Sequence, residues 1–233
     1  GKLVEQPTTL ENMSKAVYSE ESKRWRFVQT LDWTRSFGKH DLGALVGYEA
    51  IRNWGFNTDM AKQGAADASL TDLSTYTELS NITGTTWENT SRSFFGRLTY
   101  AYKSRYLFEV NARYDGSSRF APESRWGFFP SFSGGWRVSE ESFMQGSPFD
   151  NLKIRLSWGK LGNNSIGDYE WQATYSGSNY IFGDKLTSGL AQTVIANQKL
   201  RWESVTQTNI GLDFAILNNR LVGEFDIYNK VTD

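Results

Sequence analysis

The sequence predicts an all-β protein built from antiparallel strands, and three observations carry this prediction. Apolar and polar residues alternate with a period of two in eight stretches, as expected for strands with one apolar and one polar face. The connections between these stretches are alternately tight and longer, so that every long connection falls at an even-numbered position. Aromatic residues make up 15% of the chain, and several of them lie near strand ends.

The composition of the 233 residues excludes several classes of protein. The net charge is -1, so nothing indicates a nucleic-acid binder. Cysteine is absent, which rules out disulfides and thiolate metal sites. No apolar run approaches the roughly 20 residues of a transmembrane helix. A membrane barrel is compatible with this composition, because half of the residues in its strands can be polar.

The first part of the chain is predicted to hold a lead-in, a hairpin and a long loop. Residues 1–21 are polar and aperiodic, which indicates a loosely held lead-in. Alternation over residues 23–36 and 42–50 predicts two strands joined by a tight turn. Residues 52–90 are polar and have no clear period, so a long loop is predicted there, with a short helix over residues 60–72.

The rest of the chain is predicted to contain six further strands. They cover residues 91–102, 106–114, 127–138, 152–158, 207–216 and 221–230. The segments 115–126 and 161–204 are predicted to be loops, the second with a local hairpin around residues 169–182.

The polar face of the predicted strands carries full charges, which a dry core would not accept without partners. The connections indicate where this face points, because a meander with tight turns at one end and long loops at the other is typical of an outer-membrane barrel. We therefore expect the apolar face to contact lipid, the turns to be periplasmic and the loops at 52–90, 115–126 and 161–204 to be extracellular. The charged residues predicted to face the lumen are Arg97, Glu109, Arg113, Arg137, Arg155, Asp213 and Glu224.

No catalytic residue, metal site or cofactor is predicted. His40 is the only histidine and lies in a tight turn, and the serines have no GxSxG motif around them. The glycine-rich segment 159–167 lacks the Lys-Ser/Thr of a phosphate-binding loop. In the loop at 115–126, we expect Asp115, Arg119 and Arg125 to pair with one another.

Ligand contact is predicted for aromatic residues in the long segments, where flat rings can stack on a sugar or a peptide. These residues are Trp87, Trp171, Tyr175 and Tyr180. The alternative is that their rings only pack the loops against one another.

Several long segments resemble the late barrel of the SusC/RagA family of TonB-dependent outer-membrane transporters. The first is FFGRLTYAYKSRYLFEVNARYDGSSRFAPESRWGFFPSFSGGWRVSEESF, residues 94–143. The resemblance continues with LKIRLSWGKLGNNSIGDY (152–169) and LRWESVTQTNIGLDFAILNNRLVGEFDIYNK (200–230), and an earlier hairpin is similar to FGKHDLGALVGYE (37–49). Together these segments cover well over half of the chain in the order of the family.

The resemblance implies a barrel of about 22 strands, of which this chain would supply roughly a third. It also implies a plug and a TonB-contacting segment upstream, which are not recognisable here, so a fragment of a transporter is expected. Members of the family import glycans or peptides across the bacterial outer membrane together with a SusD-like surface lipoprotein that covers the barrel. TonB couples this import to the proton gradient of the inner membrane.

Two alternatives come from other classes of protein. Eight strands can close a small barrel with an adhesive or structural role. A soluble carbohydrate-binding β-sandwich would also show alternating strands, with its charged faces in water.

Overall fold

A computed structural model describes residues 13–65, 67 and 69–233 of the chain. The strands in this part are β1 (Ser14–Phe37), β2 (His40–Ala65), β3 (Tyr76–Tyr102), β4 (Tyr106–Ser117), β5 (Trp126–Arg137), β6 (Phe149–Asn163), β7 (Thr174–Phe182), β8 (Lys185–Val194), β9 (Glu203–Ile216) and β10 (Leu221–Thr232). The same described residues contain three short 3₁₀ turns, at Leu73–Thr75, Val138–Glu140 and Ser142–Met144. Within the described ranges, no helix is long and apolar enough to cross a membrane.

Eight of the strands form one sheet in the order β1-β2-β3-β4-β5-β6-β9-β10, and β7 and β8 form a separate two-stranded hairpin. The strand pairs from β3 to β10 are antiparallel. The predicted antiparallel sheet of eight strands is thereby confirmed. The local hairpin predicted around residues 169–182 exists, but it spans Thr174–Val194.

Short connections alternate with long ones along this sheet. The turn between β3 and β4 places Lys103 and Ser104 at φ angles of 54° and 52°, the left-handed region that a tight hairpin turn with the twist of the flanking strands requires. Asn218 and Asn219 occupy the same region between β9 and β10, where asparagine is well tolerated. The connection between β5 and β6 is longer, but its two 3₁₀ turns keep it compact.

The chain divides into two compact units. One contains residues 13–25 and the described residues of 52–89, and the other contains residues 26–51 and 90–233. The first unit is held together by polar pairs between β2 and β3. Arg52 donates two hydrogen bonds to Glu88, at 2.9 and 3.0 Å, and the Asn53 amide donates to Asn89 at 2.8 Å.

In this first unit the structure differs from the predicted lead-in, loop and helix. Residues 14–21, predicted to belong to a lead-in, form the start of β1. Most of the predicted loop at 52–90 belongs to β2 and β3, and the helix predicted over 60–72 is wrong, since residues 60–65 continue β2. A strand with polar residues on both faces has no period-two pattern, so these extensions could not be predicted from the alternation of residues.

The second unit presents one continuous apolar face, which we define by the register of its strands. One row of paired positions crosses six strands. It consists of Tyr102, Tyr106, Trp136, Ile154, Leu212 and Phe225. Leu98 and Phe225 on this face are each 60% exposed, so no other part of the described chain covers them.

Two aromatic belts border the apolar face. The short-turn belt consists of Phe37, His40, Tyr102, Tyr106 and Trp136, with ring centroids of successive members 4.9–6.5 Å apart. The long-loop belt consists of Phe27, Tyr48, Phe94, Trp126 and Tyr114, with successive centroids 4.8–6.4 Å apart. On β4 the belts are separated by the stretch from Tyr106 to Tyr114, which is about 26 Å along an extended strand.

Candidate functional site

The opposite face of the second unit, which we call the polar face, carries the predicted lumen residues. The register pairs Lys153 with Asp213, and Asp213 with Glu224, so charged side chains meet across neighbouring strands. All seven charged residues predicted to face the lumen lie on this face, at strand positions that alternate with those of the apolar face. That the polar face lines a lumen stays a prediction.

Arg155 is the centre of a charged cluster on the polar face. Its guanidinium donates to Asp213 at 2.8 and 3.0 Å, to Glu224 at 2.6 Å and to Asp226 at 3.0 Å. The Asn209 amide donates to the other oxygen of Asp226 at 3.0 Å. One cation thus binds three carboxylates from β9 and β10, which leaves a net negative charge at this position.

A second cluster lies around Glu49 at the other side of the polar face. The Glu49 side chain is buried, and it accepts a hydrogen bond from Arg26 at 2.6 Å and one from Arg113 at 3.5 Å. Arg113 also donates to Asp115 at 3.0 Å and lies 5.2 Å from the centre of the Phe95 ring. The charges within this group balance, so it ties β1, β2 and β4 together without presenting a net charge.

Next to the Arg155 cluster, the polar face contains a cavity of about 590 Å³ near the short turns. Its lining includes the charged side chains of Asp41, Glu109, Lys153 and Arg155. Gly135 also lines the cavity, and a Cβ added there would lie 3.2 Å from the Lys153 side chain. Both signs of charge and several hydroxyl groups face this space, which suits a hydrated polar solute.

The loops that follow β4 and β6 are joined by a small core on the polar face, which we call the loop core. Phe120 is fully buried, and its ring centroid lies 5.1 Å from that of Trp202, which also contacts Phe129 at 5.2 Å. Arg119 donates to Asp168 at 2.8 Å, and the Trp202 indole donates to the carbonyl of Arg125 at 3.0 Å. The loop core therefore fixes the segment 118–125 against the sheet and against the loop that follows β6.

These contacts correct the pairing expected within the loop at 115–126. Asp115 pairs with Arg113 on its own strand, and Arg119 pairs with Asp168 across the two loops. The contact between Phe120 and Trp202 was not predicted, because the two residues are distant in the chain and neither lies in a periodic segment.

The aromatic residues predicted to contact a ligand have different surroundings. The Trp87 indole donates to Asn57 at 3.1 Å within the first unit. Trp171 is half-buried, and within the described part of the chain its Nε1 has no hydrogen-bond partner. Tyr175 and Tyr180 lie in β7 and are 60% and 65% exposed, but their odd spacing places them on opposite faces of the hairpin. Their role in binding stays a prediction.

The two faces of the sheet define the class of protein. A contiguous exposed apolar surface of this extent is not tolerated in water, whereas an apolar band bordered on both sides by aromatic belts matches the lipid-facing wall of a membrane β-barrel. A soluble β-sandwich would pack two sheets face to face, but the described residues form a single eight-stranded sheet and one hairpin. The sandwich hypothesis is therefore wrong.

Comparison with known proteins identifies the family. Residues 5–233 match the family model for the TonB dependent receptor-like β-barrel, and the chain belongs to this family. It is 37% identical over 209 residues to the TonB-dependent receptor SusC of Bacteroides thetaiotaomicron, a match that covers 87% of this chain and 20% of SusC. It is 32% identical to the TonB-dependent receptor P26 of Formosa agariphila, covering 96% of this chain and 23% of that receptor.

Solved structures of the RagAB peptide transporter have the same fold over this region. The match has a TM-score of 0.81 at 32% sequence identity and covers 94% of this chain and 24% of the RagAB chain. The chain thus spans about a fifth to a quarter of the length of the relatives it matches. It is a segment of the β-barrel of an outer-membrane receptor, as the resemblance in sequence predicts.

Proposed function

We propose that this chain forms part of the wall of an outer-membrane transporter that imports glycans or peptides. The observation that carries the proposal is the family match over residues 5–233, which includes SusC and the RagAB peptide transporter among the relatives. In this proposal a SusD-like surface lipoprotein covers the barrel, and TonB drives import through a region of the protein outside these residues. The small complete barrel with an adhesive role has no comparable support.

The arrangement of the sheet gives each part a role in import. The apolar face contacts lipid, and the polar face lines the path of the solute, with the Arg155 and Glu49 clusters keeping its charged side chains paired. The connections at 69–75, 118–125 and 164–202 are on the extracellular side, and the short turns are periplasmic. Tyr175 and Tyr180 on the exposed β7 hairpin are the proposed contacts for a sugar or peptide.

Uptake by cells tests the proposal directly. The gene for the complete receptor that contains these residues is deleted, and growth is measured on single oligosaccharides and on peptide mixtures as the nutrient source. Restoration of growth on one of these classes by the intact receptor is the expected result, and it also identifies the substrate class. Failure to restore growth on any of them, with the receptor correctly inserted, would overturn the proposal.

Binding by the hairpin is tested in the same receptor once a substrate class is known. The double variant Tyr175→Ala with Tyr180→Ala is expected to lower uptake at low substrate concentration by about tenfold, because stacking contacts are lost. Tyr18→Ala is a matched control, since Tyr18 is also 60% exposed and is not a predicted contact. An equal effect of the control and the double variant would contradict the role of the hairpin.

A further inference from the structure

A shallow pocket of about 250 Å³ lies at the outer edge of the long-loop belt and is lined in part by Trp126 of that belt. Arg92, Gly116 and Trp126 form one row of paired positions across β3, β4 and β5, and this row lies one step beyond the row that contains Phe94 and Tyr114. These residues share the parity of the apolar face. The pocket therefore opens on the side of the sheet that contacts lipid.

The Trp126 ring lines this pocket and lies directly over the backbone of Gly116, its cross-strand partner. A Cβ added at Gly116 would lie 2.9 Å from the indole ring, so only glycine allows the ring to lie this close to the strand. The ring stacks on Tyr114 with centroids 4.8 Å apart and an interplanar angle of 14°. Tryptophan and tyrosine rings at the edge of an apolar band typically lie at the depth of lipid headgroups.

Two arginines, Arg92 and Arg125, line the pocket. Neither forms an ion pair with any carboxylate of the described residues, and in that same part of the chain the buried Nε of Arg125 has no hydrogen-bond partner. On the polar face, by contrast, Arg113 and Arg155 are each bound by at least two carboxylates. Two unpaired guanidinium groups in one pocket repel each other, and an anion that binds both would relieve this repulsion.

The remaining polar groups suit an acceptor-rich anion. The backbone N–H of Thr90 donates to the Ser118 hydroxyl oxygen at 2.8 Å, which leaves the hydroxyl hydrogen of Ser118 free to donate into the pocket. Phosphate oxygens accept hydrogen bonds from guanidinium and hydroxyl groups, and guanidinium matches their geometry in a bidentate manner.

The depth of the pocket identifies the source of the anion. The row of Arg92 lies two residues beyond the row of Phe94, which is about 7 Å along the strand and about 5 Å perpendicular to the membrane for a strand tilted by roughly 35–45°. The polar headgroup region extends about 5–8 Å beyond the hydrocarbon core on each side of a bilayer. Arg92 therefore lies at headgroup depth, and Arg125 lines the same pocket. At this depth the local concentration of lipid headgroups is very high, so a free solute would have to compete with them.

We propose that Arg92, Arg125, Ser118 and Trp126 bind the phosphate headgroup of an anionic lipid in the leaflet on the long-loop side. The site requires only the membrane location of the sheet, so it stands independently of the proposed import function. Its occupation would hold the β3–β4–β5 end of the sheet at a fixed depth in the bilayer.

The test uses the complete receptor, reconstituted in bilayers of phosphatidylcholine with about one fifth phosphatidylglycerol, a composition in which anionic lipid is scarce enough to be selected. Retained phosphatidylglycerol per protein is counted by native mass spectrometry after extraction into detergent. The double variant Arg92→Gln with Arg125→Gln is expected to retain at least about tenfold less of this lipid, because two charge-assisted contacts are lost. Ser118→Ala is expected to cause a smaller loss.

Arg137→Gln with Lys153→Gln is the charge-matched control, because both residues lie on the polar face and pair with each other in the register. Unchanged lipid retention in the Arg92 and Arg125 variant, or an equal loss in the control, would overturn the proposal. Inorganic phosphate, added at the same concentration as the phosphatidylglycerol, tests whether the pocket binds a lipid headgroup or a free phosphate ion. If it displaces the lipid completely, the pocket is a site for a free anion instead. Heat-modified gel migration checks that each variant is folded, and the single variant Arg125→Gln replaces the double variant if the latter does not fold.

Discussion

The loop core provides the sharpest test of how the long connections are held. Phe120 is fully buried against Trp202, which also contacts Phe129, and Phe120→Ala removes the whole ring from this position. Phenylalanine-to-alanine substitutions in a core cost about 3–5 kcal/mol. The loop can partly collapse into the space, so we take the lower end, about 3 kcal/mol, which corresponds to roughly a hundredfold increase in the equilibrium for loop opening.

Amide hydrogen exchange in the complete receptor measures this opening. Within the loop, Ser124 N–H donates to the Ala121 carbonyl at 3.0 Å, and Ser117 N–H donates to the Arg125 carbonyl at 3.1 Å. Peptides covering residues 117–125 are expected to exchange roughly a hundred times faster in Phe120→Ala, whereas peptides from the centre of β4 are unchanged, because local opening does not unfold the sheet.

Phe143→Ala is the matched control, since Phe143 lies in a connection but is 68% exposed. It is expected to leave exchange at residues 117–125 unaltered. Exchange at the wild-type rate in a folded Phe120→Ala receptor would refute the reasoning, because it would mean that the ion pair of Arg119 with Asp168 holds the loop without the aromatic contacts.

Two further predictions concern the polar face and the short-turn end. Gly211→Ala is expected to lower the thermal midpoint in detergent by a few degrees, about 1–3 kcal/mol, because its Cβ would lie 2.5 Å from Asp226 and 2.7 Å from the Arg155 guanidinium carbon. Gly134→Ala is the control, since its nearest atoms are 3.9 and 4.0 Å away, and equal shifts in both variants would contradict the crowding argument. The second prediction concerns Glu141, which lies between β5 and β6. Its carboxylate accepts hydrogen bonds from the Tyr106 hydroxyl at 2.6 Å and from the Trp136 indole at 3.0 Å. These bonds lower the pKa of Glu141. The ionised Glu141 therefore stabilises the folded state fully above the unfolded pKa of about 4.3, and this stabilisation is lost as the pH falls through the lower folded pKa. The melting temperature of Glu141→Gln should consequently depend less on pH below about pH 4 than that of the wild type. Parallel melting curves for the two proteins across this range would show that the carboxylate contributes nothing.

The strands that cross the apolar face could be predicted from sequence, because each has one face in lipid and one in a polar environment. Leu98, Val110 and Phe132 share a row in the structure and share the apolar parity in the sequence. The outer parts of β1, β2 and β3 could not be predicted, since Arg52 and Asn53 are adjacent residues that both make polar contacts, and no alternation results.

For the clusters on the polar face and in the loops, the alternation of residues likewise predicted the face of a strand but not the contacts between distant residues. The parity of Arg155 and Asp213 was readable from the alternation of their strands, but the convergence of three carboxylates on one guanidinium depends on strand order. The loop core was not predictable, because the hydrogen bond from Trp202 to Arg125 joins residues 77 positions apart in the chain. Neither Arg92 nor Arg125 stands out in the sequence. They line the same pocket because the register aligns Arg92 with Trp126, the residue that follows Arg125.

The distance between the two aromatic belts limits the thickness of membrane that this wall fits. Strands of such barrels are tilted by roughly 35–45°, so a separation of about 26 Å along β4 spans only about 20 Å perpendicular to the membrane. This is less than the roughly 30 Å of an average hydrocarbon core, and the bacterial outer membrane is thinner than average. In thicker bilayers the surrounding lipid would have to compress around the belts, so hydrophobic mismatch itself would favour retention of the receptor in the outer membrane.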